Sequence, residues 1–261
     1  MYYYHDGSDL AYVLTGMALL CFLEALDKQT LRQSWSFYVW SMLFAWMAAG
    51  CYESFLILYI LGILILLFLG GMTGRYQLST AYVCKHLGIG AMLCVGVVGL
   101  RSVMVSLLTV VFRLQEVQGM LPVRSLSEML VLFRNSEGLR ALYMLMKRFW
   151  LVYHVNAIVY LPVTVFEFST LFIFALSVYL AVKKKNVWYP VLFGGMMLTT
   201  FLLTVAEARL TSYRSCQFLP FFAALGCLLF YGRICGKEQK RAANRWGRYL
   251  ACALAVILIY N

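Results

Sequence analysis

The chain has 261 residues, of which 63% are hydrophobic and 13% charged, and it carries a net charge of +11. That balance excludes an ordinary soluble domain. The basic residues gather at the ends of apolar runs, a placement that suits membrane lipids with anionic headgroups. Nucleic-acid binding is not expected, because no basic region of domain size stands apart from the apolar runs.

The organising stretch is Cys51-Tyr52-Glu53-Ser54 and the run Phe55 to Leu69, FLILYILGILILLFL. It has no charge and no proline, and with its flanks it is long enough to cross a hydrocarbon core of roughly 30 Å. It does not alternate polar with apolar residues, as a membrane β-barrel would require. The expected fold class is therefore all-α, a single polytopic transmembrane helix bundle occupying 1–261. Seven to eight spans are expected, at 10–25, 35–49, 54–71, 87–112, 162–182, 188–206, 217–231 and 249–260.

Taken in order, span one ends in the polar turn Asp27 to Gln33, and span two is aromatic-rich. Only Cys51-Tyr52-Glu53-Ser54 separates spans two and three, which predicts a tight antiparallel hairpin. Span four carries Arg101 near its middle and Gly88, Gly90, Gly96 and Gly99 along its length. An arginine at that depth is costly unless it faces the bundle or water. Residues 113–160 read as a long extracytoplasmic loop of amphipathic interfacial helices. Ser125 and Glu128 make a capping box there, and Leu139, Leu142, Tyr143, Met146 and Trp150 share one helical face. Pro190 falls in the first turn of span six, whereas Pro220 is expected to interrupt span seven.

Cys21, Cys94, Cys227 and Cys252 lie inside apolar runs, and no His/Cys ligand spacing occurs. They read as small buried apolar residues, so neither a disulfide framework nor a metal site is expected. The opening MYYYHDGSD lacks the basic segment of a signal peptide. The chain is expected either to insert through its first apolar helix or to be the later part of a longer protein.

Charge in the short loops sets the expected orientation. With the N-terminus outside, Lys28/Arg32, Arg75/Lys85, Lys183 to Lys185 and the basic residues from Arg233 to Arg248 all fall on the cytoplasmic side. The outer side then collects His5, Asp6, Asp9, Tyr52, Glu53, His154, Asn156, Glu167, Glu207, Arg209, Tyr213 and Arg214. Arginine offers a planar fork for phosphate, and carboxylates act as bases or hold hydroxyls, so this set suits a substrate with a phosphate and a sugar-like head. Each residue taken alone reads as a snorkelling or ion-paired rim group. The chain has no nucleotide-phosphate loop, no HExxH and no GxSxG elbow.

Four features together resemble the bacterial multi-spanning glucosyltransferases of the phage O-antigen-modifying type, a GT-C-like family. They are the aromatic-acidic opening YYYHDGSD, the hairpin CYESFLILYILGILILLFL, the long amphipathic outer loop, and ARLTSYRSCQFLPFFAALGCLLF. The resemblance covers residues 1–232. It implies a glycosyltransferase of the bacterial cytoplasmic membrane that moves glucose from a polyprenyl-phosphate-linked donor to a cell-surface glycan such as O-antigen, with no cofactor. On that reading Arg214, with Arg209, holds the lipid phosphate, Tyr52 and Glu53 line the donor or acceptor pocket, and Tyr213 is a further substrate-binding residue. The family's catalytic acid usually sits in a first outer loop after an earlier span that this sequence lacks, so the chain reads as beginning partway into the family's fold. Asp6 and Asp9 are the acids that would substitute. Two other classes remain open: a transporter or flippase for a lipid-linked or polar substrate, built around Arg101 and the glycines of span four, and a non-catalytic membrane scaffold.

Overall fold

A computed structural model of the chain describes residues 3–28, 30–51, 54–112, 138–140, 143–144, 146–147, 163–199 and 218–234. No strand occurs among the described residues. The helices are α1 (Tyr3–Asp27), α2 (Leu31–Cys51), α3 (Ser54–Thr73), α4 (Thr80–Phe112), α5 (Val163–Lys184), α6 (Trp188–Thr199) and α7 (Phe218–Ile234). Four of them contain stretches long and apolar enough to cross a membrane: Asp9–Asp27, Ser54–Thr73, Thr80–Leu108 and Thr164–Lys184. Helix α2 has the length, at 21 residues, but Arg32, Gln33, Ser34, Ser36 and Ser41 dilute its apolar character. The run 249–260 lies outside the described residues, as does most of 113–160, including Ser125 and Glu128. Of the expected interfacial stripe, Leu139, Tyr143 and Met146 are described, and all three are exposed.

Several helix ends depart from the sequence expectation for local reasons. Helix α1 starts at Tyr3, so the polar HDGSD is helical rather than a leader to the span. Helix α4 begins one to two turns before residue 87, because Ser79 caps it. The Tyr82 backbone N–H donates to Ser79 Oγ at 3.2 Å, and the Val83 N–H donates to the Ser79 carbonyl at 2.9 Å. Pro220 is helical, in the first described turn of α7, and the residues before Phe218 lie outside the described ones.

Helix α3 is the hub. It packs against α1, α2, α4, α6 and α7. Its apolar window is 67% buried, against 12% for that of α4. Tyr59, Leu61, Leu67 and Phe68 on α3 are completely enclosed. Lipid is as apolar as leucine, so close packing and hydrogen bonds must hold such a bundle together.

Small residues provide the close packing between α1 and α2. Ala11, Ala18 and Ala25 repeat every seven residues on α1, and Ser34, Tyr38, Ser41, Ala45 and Ala48 follow the 4-3-4-3 spacing on α2; all are buried. Helices α1 and α2 are the most extensively packed pair among the described helices. At mid-depth the fully buried Ser41 donates to the Ala18 carbonyl at 2.7 Å and lies 2.7 Å from the Tyr59 hydroxyl. Its single hydrogen is committed to Ala18, so Tyr59 is the donor in the second bond. One hydroxyl thus ties three helices.

Helices α5 and α7 use a similar device. Ser169 Oγ donates to the Ala223 carbonyl at 3.0 Å, and Gly226 faces the Ser169 backbone so closely that a Cβ would lie 2.7 Å from its Cα. Phe168 and Phe172 meet Phe230 edge-on at 4.8 and 5.2 Å beside this contact.

Candidate functional site

The two ends of α3 have different chemistry. At its N-terminal end the packing is aromatic. Tyr12 of α1, half-buried, meets Phe55 of α3 edge-on with ring centroids 4.7 Å apart, and Phe221 of α7 at 5.6 Å. Phe55 lies in the first turn of α3 and Phe221 in the first turn of α7. The starts of these two helices, distant in sequence, are therefore neighbours around one tyrosine ring.

The residues expected to bind substrate flank this point in sequence. Tyr52 and Glu53 immediately precede α3, and Arg209, Tyr213 and Arg214 precede α7; all five lie outside the described residues, with His154, Asn156 and Glu207. Asp9 is exposed on α1, three residues before Tyr12 and on the same helical face. Asp6 lies one turn earlier in the same helix. Glu167 is exposed in the second turn of α5.

The C-terminal end of α3 carries a polar network that sequence reasoning did not anticipate. Gly74 closes the helix in a left-handed conformation (φ 78°), its N–H donating to the Gly71 carbonyl at 3.3 Å. The same Gly71 carbonyl accepts Lys184 Nζ at 2.7 Å from α5 and the Tyr189 hydroxyl at 2.8 Å from α6. A helix C-terminus leaves carbonyls unpaired and carries partial negative charge, so a lysine there is doubly favourable. Asn186 donates to the Leu78 carbonyl at 2.8 Å, and Trp188 Nε1 to Thr80 Oγ1 at 3.2 Å. These bonds fasten the α5–α6 connection to the α3–α4 turn.

Beside that clamp, Arg75 forms a two-point ion pair with Asp27 at the end of α1, one bond being Nε to Oδ1 at 3.0 Å. The Tyr76 hydroxyl donates to the same Asp27 oxygen at 2.7 Å. Partial burial, reinforced by that bond, raises the Tyr76 phenol above its ordinary pKa. Tyr76 stacks on Tyr82 at 5.6 Å, and Tyr82 packs on His86 at 4.3 Å. His86 is buried, its Nδ1 lying 3.2 Å from the hydroxyl of the equally buried Tyr38. The pair fixes α2 against α4 and presents no exposed nucleophile or base.

The structure thereby gathers Lys28, Arg75, Lys85 and Lys183 to Lys185 around one end of the bundle, with Asp9 and Tyr12 at the other. The pairing of Asp27 with Arg75 has no local sequence signal, because 48 residues separate them. The one visible signal was Gly70-Gly71, whose missing side chains make room for Tyr76 and Leu78 to fold back on α3.

Features expected of a transporter are mixed. Arg101 is half-buried on α4 and is not without a partner. A Cβ added at Gly90 would lie 3.3 Å from Ile63 and one at Gly96 would run into the Met42 sulfur, whereas one at Gly88 or Gly99 would meet nothing within 4 Å. Only half of the four glycines sit at a close helix approach. Cys51 is exposed and free, and Cys21, Cys94 and Cys227 are half-buried and free. Among the described residues no group of three or more His, Cys, Asp or Glu side chains is placed to hold a metal ion.

Comparisons of the chain with protein-family models, with curated proteins and with solved structures return no match.

Proposed function

We propose that the chain is an integral-membrane glycosyltransferase that takes a sugar from a polyprenyl-phosphate-linked donor and transfers it to a surface glycan at the extracytoplasmic face of a bacterial cytoplasmic membrane. Its N-terminus lies outside, the bundle has seven to eight spans, and 113–160 is an outer loop. The observation that carries this reading is the meeting of Tyr12, Phe55 and Phe221. It makes neighbours of the helix starts that follow Tyr52-Glu53 and Arg209/Tyr213/Arg214, one segment acidic and the other basic.

The division of labour follows from chemistry. Arg214, with Arg209, binds the donor phosphate through charge-assisted hydrogen bonds, and Tyr213 takes part in substrate binding. Glu53 and Tyr52 hold sugar hydroxyls. Asp9 or Asp6 takes the acceptor's proton as the glycosidic bond forms and the polyprenyl phosphate leaves. The basic groups at the opposite end contact anionic headgroups of the inner leaflet.

Donor binding provides the test. Protein in lipid nanodiscs is expected to bind polyprenyl-phosphate-linked glucose, with affinity about 10- to 100-fold weaker in Arg214→Ala, the loss of one charge-assisted contact. Lys183→Ala, at the other end, is expected to bind as the wild type does. Equal binding by wild type and Arg214→Ala refutes the phosphate assignment.

A further inference from the structure

Helices α3 and α5 each close on a residue in the left-handed region, but the residues differ. Helix α3 uses Gly74, at φ 78°, and α5 uses Lys185, at φ 49°. Among the described residues Lys185 is the only non-glycine with a positive φ. The Asn186 N–H donates to the Ala181 carbonyl at 3.0 Å and the Lys185 N–H to the Val182 carbonyl at 3.4 Å, the two bonds of a Schellman ending. Its left-handed position favours glycine, because a Cβ there crowds the following carbonyl oxygen. The turn is held from both sides. Asn186 Nδ2 donates to the Leu78 carbonyl at 2.8 Å, and Asn186 Oδ1 accepts the Trp188 N–H at 2.9 Å. A lysine kept where glycine is the easier residue points to a use for its side chain.

The lysines of this ending are not equivalent. Lys184 is committed inside the fold, its Nζ donating to the Gly71 and Met72 carbonyls at 2.7 and 3.2 Å. Lys183 is exposed, with Nζ 5.5 Å from the Tyr179 ring centroid. Lys185 is exposed too, and its ammonium makes no hydrogen bond or ion pair with a described residue. No acid offsets these charges in the α5–α6 turn or in the α3–α4 turn packed on it, and Asp27 is taken by Arg75. The lysines stand where an apolar stretch long enough to cross a membrane, Thr164–Lys184, stops. Val182 and Val187, on either side of them in sequence, are both well exposed. Free ammonium groups beside bare apolar side chains at the end of a span match a phospholipid, with phosphate on the lysines and acyl chain on the valines.

We propose that the α5–α6 turn is a binding site for an anionic phospholipid, with Lys185 and Lys183 on its phosphate, and that this contact is what Lys185 supplies from its strained position. The site narrows the inner-leaflet contact proposed above to one turn. It rests on α5 crossing a membrane and does not depend on sugar transfer.

The test is the melting temperature of the full chain in nanodiscs of phosphatidylcholine, alone or mixed with phosphatidylglycerol. In phosphatidylcholine alone, Lys185→Gly is expected to melt at the wild-type temperature or up to about 3 °C above it, because the strain is relieved. Phosphatidylglycerol is expected to raise the wild-type value by about 3–6 °C, and Lys185→Gly to lose about half of that rise. Lys185→Arg is expected to keep the rise, and so is Lys28→Ala, which removes a charge elsewhere on the same end. Glycerol phosphate in solution is expected to give no rise in phosphatidylcholine nanodiscs.

A rise as large in Lys185→Gly as in the wild type overturns the site and leaves the general headgroup contact standing. An equal loss in Lys28→Ala also overturns it, since that result marks diffuse charge. Absence of any rise in the wild type overturns both. A rise with soluble glycerol phosphate overturns the choice of a lipid, and a Lys185→Gly protein that melts below the wild type in phosphatidylcholine alone overturns the argument from strain. Lys185→Asn, whose side chain tolerates the left-handed region, supplies the answer if Lys185→Gly fails to purify as a single species.

Discussion

Replacing Ser41 by alanine removes a hydroxyl that makes two bonds at once. In the native bundle Ser41 donates to the Ala18 carbonyl and accepts from Tyr59, both at 2.7 Å, with Ser41 and Tyr59 fully buried. The Ala18 carbonyl keeps its bond within α1, so its loss is small. Tyr59 is left with a hydroxyl sealed in the core, and a buried unpaired hydroxyl costs about 1–3 kcal/mol. Polar contacts between membrane helices usually measure less, about 0.6 kcal/mol on average and up to about 1.7. Ser41→Ala is therefore expected to destabilise by about 1–2 kcal/mol. Tyr59→Phe removes only the donor and leaves Ser41 bonded to Ala18, so it should cost under about 1 kcal/mol. The double variant should be no less stable than Ser41→Ala alone, because the stranded hydroxyl is gone. Reversible unfolding in mixed micelles, followed by tertiary-structure circular dichroism, gives all three values. Strict additivity, or a Tyr59→Phe change costlier than Ser41→Ala, would refute the reasoning.

Other variants probe the remaining contacts. Gly226→Ala drives a methyl group into the Ser169 backbone, so α5 and α7 must separate; the expected loss is about 1–3 kcal/mol in the same unfolding assay. Tyr76 has a phenol pKa raised in the folded state, so its contribution to stability is complete below the unfolded value of about 10 and is lost as pH rises beyond it. Alkaline unfolding of the wild type should thus steepen above about pH 10, and Tyr76→Phe should flatten that part of the curve. For orientation, a membrane-impermeant maleimide applied to intact cells should modify exposed Cys51 but not Lys183→Cys unless the membrane is first made permeable.

The sequence revealed helices more readily than it revealed what joins them. Phe55 to Leu69 declared itself as a span because it is long and uncharged, and its helix is the most enclosed of the four candidate spans among the described residues. The α1–α2 pair was foreseeable in kind, since short polar turns enforce antiparallel neighbours. The stripe of Ala11, Ala18 and Ala25 against Ser34, Ser41 and Ala48 needed both helices in view. Ends were misjudged where hydropathy was the only guide. Tyr82, Lys85 and His86 look like a loop by polarity, but Ser79 caps a helix that carries them toward Tyr38 and Tyr76. The Asp27–Arg75 pair and the three donors on Gly71 join residues separated by 48 to 118 positions or close a turn, and no local pattern announces the distant partners. At the candidate site, Glu53 and Arg214 attracted attention by charge, whereas Tyr12 resembles any aromatic residue near a membrane surface until its neighbours are known.

The central claim is sugar transfer at the end of the bundle where Tyr12, Phe55 and Phe221 meet. The most direct measurement is the rate at which purified protein in proteoliposomes moves radiolabelled glucose from a polyprenyl-phosphate carrier to lipopolysaccharide. Transfer is expected for the wild type, with a fall of about 10- to 100-fold in Glu53→Gln and in Arg214→Ala and little change in Lys183→Ala. Rates unchanged in both Glu53→Gln and Arg214→Ala would contradict the site, and no transfer by the wild type would contradict the function.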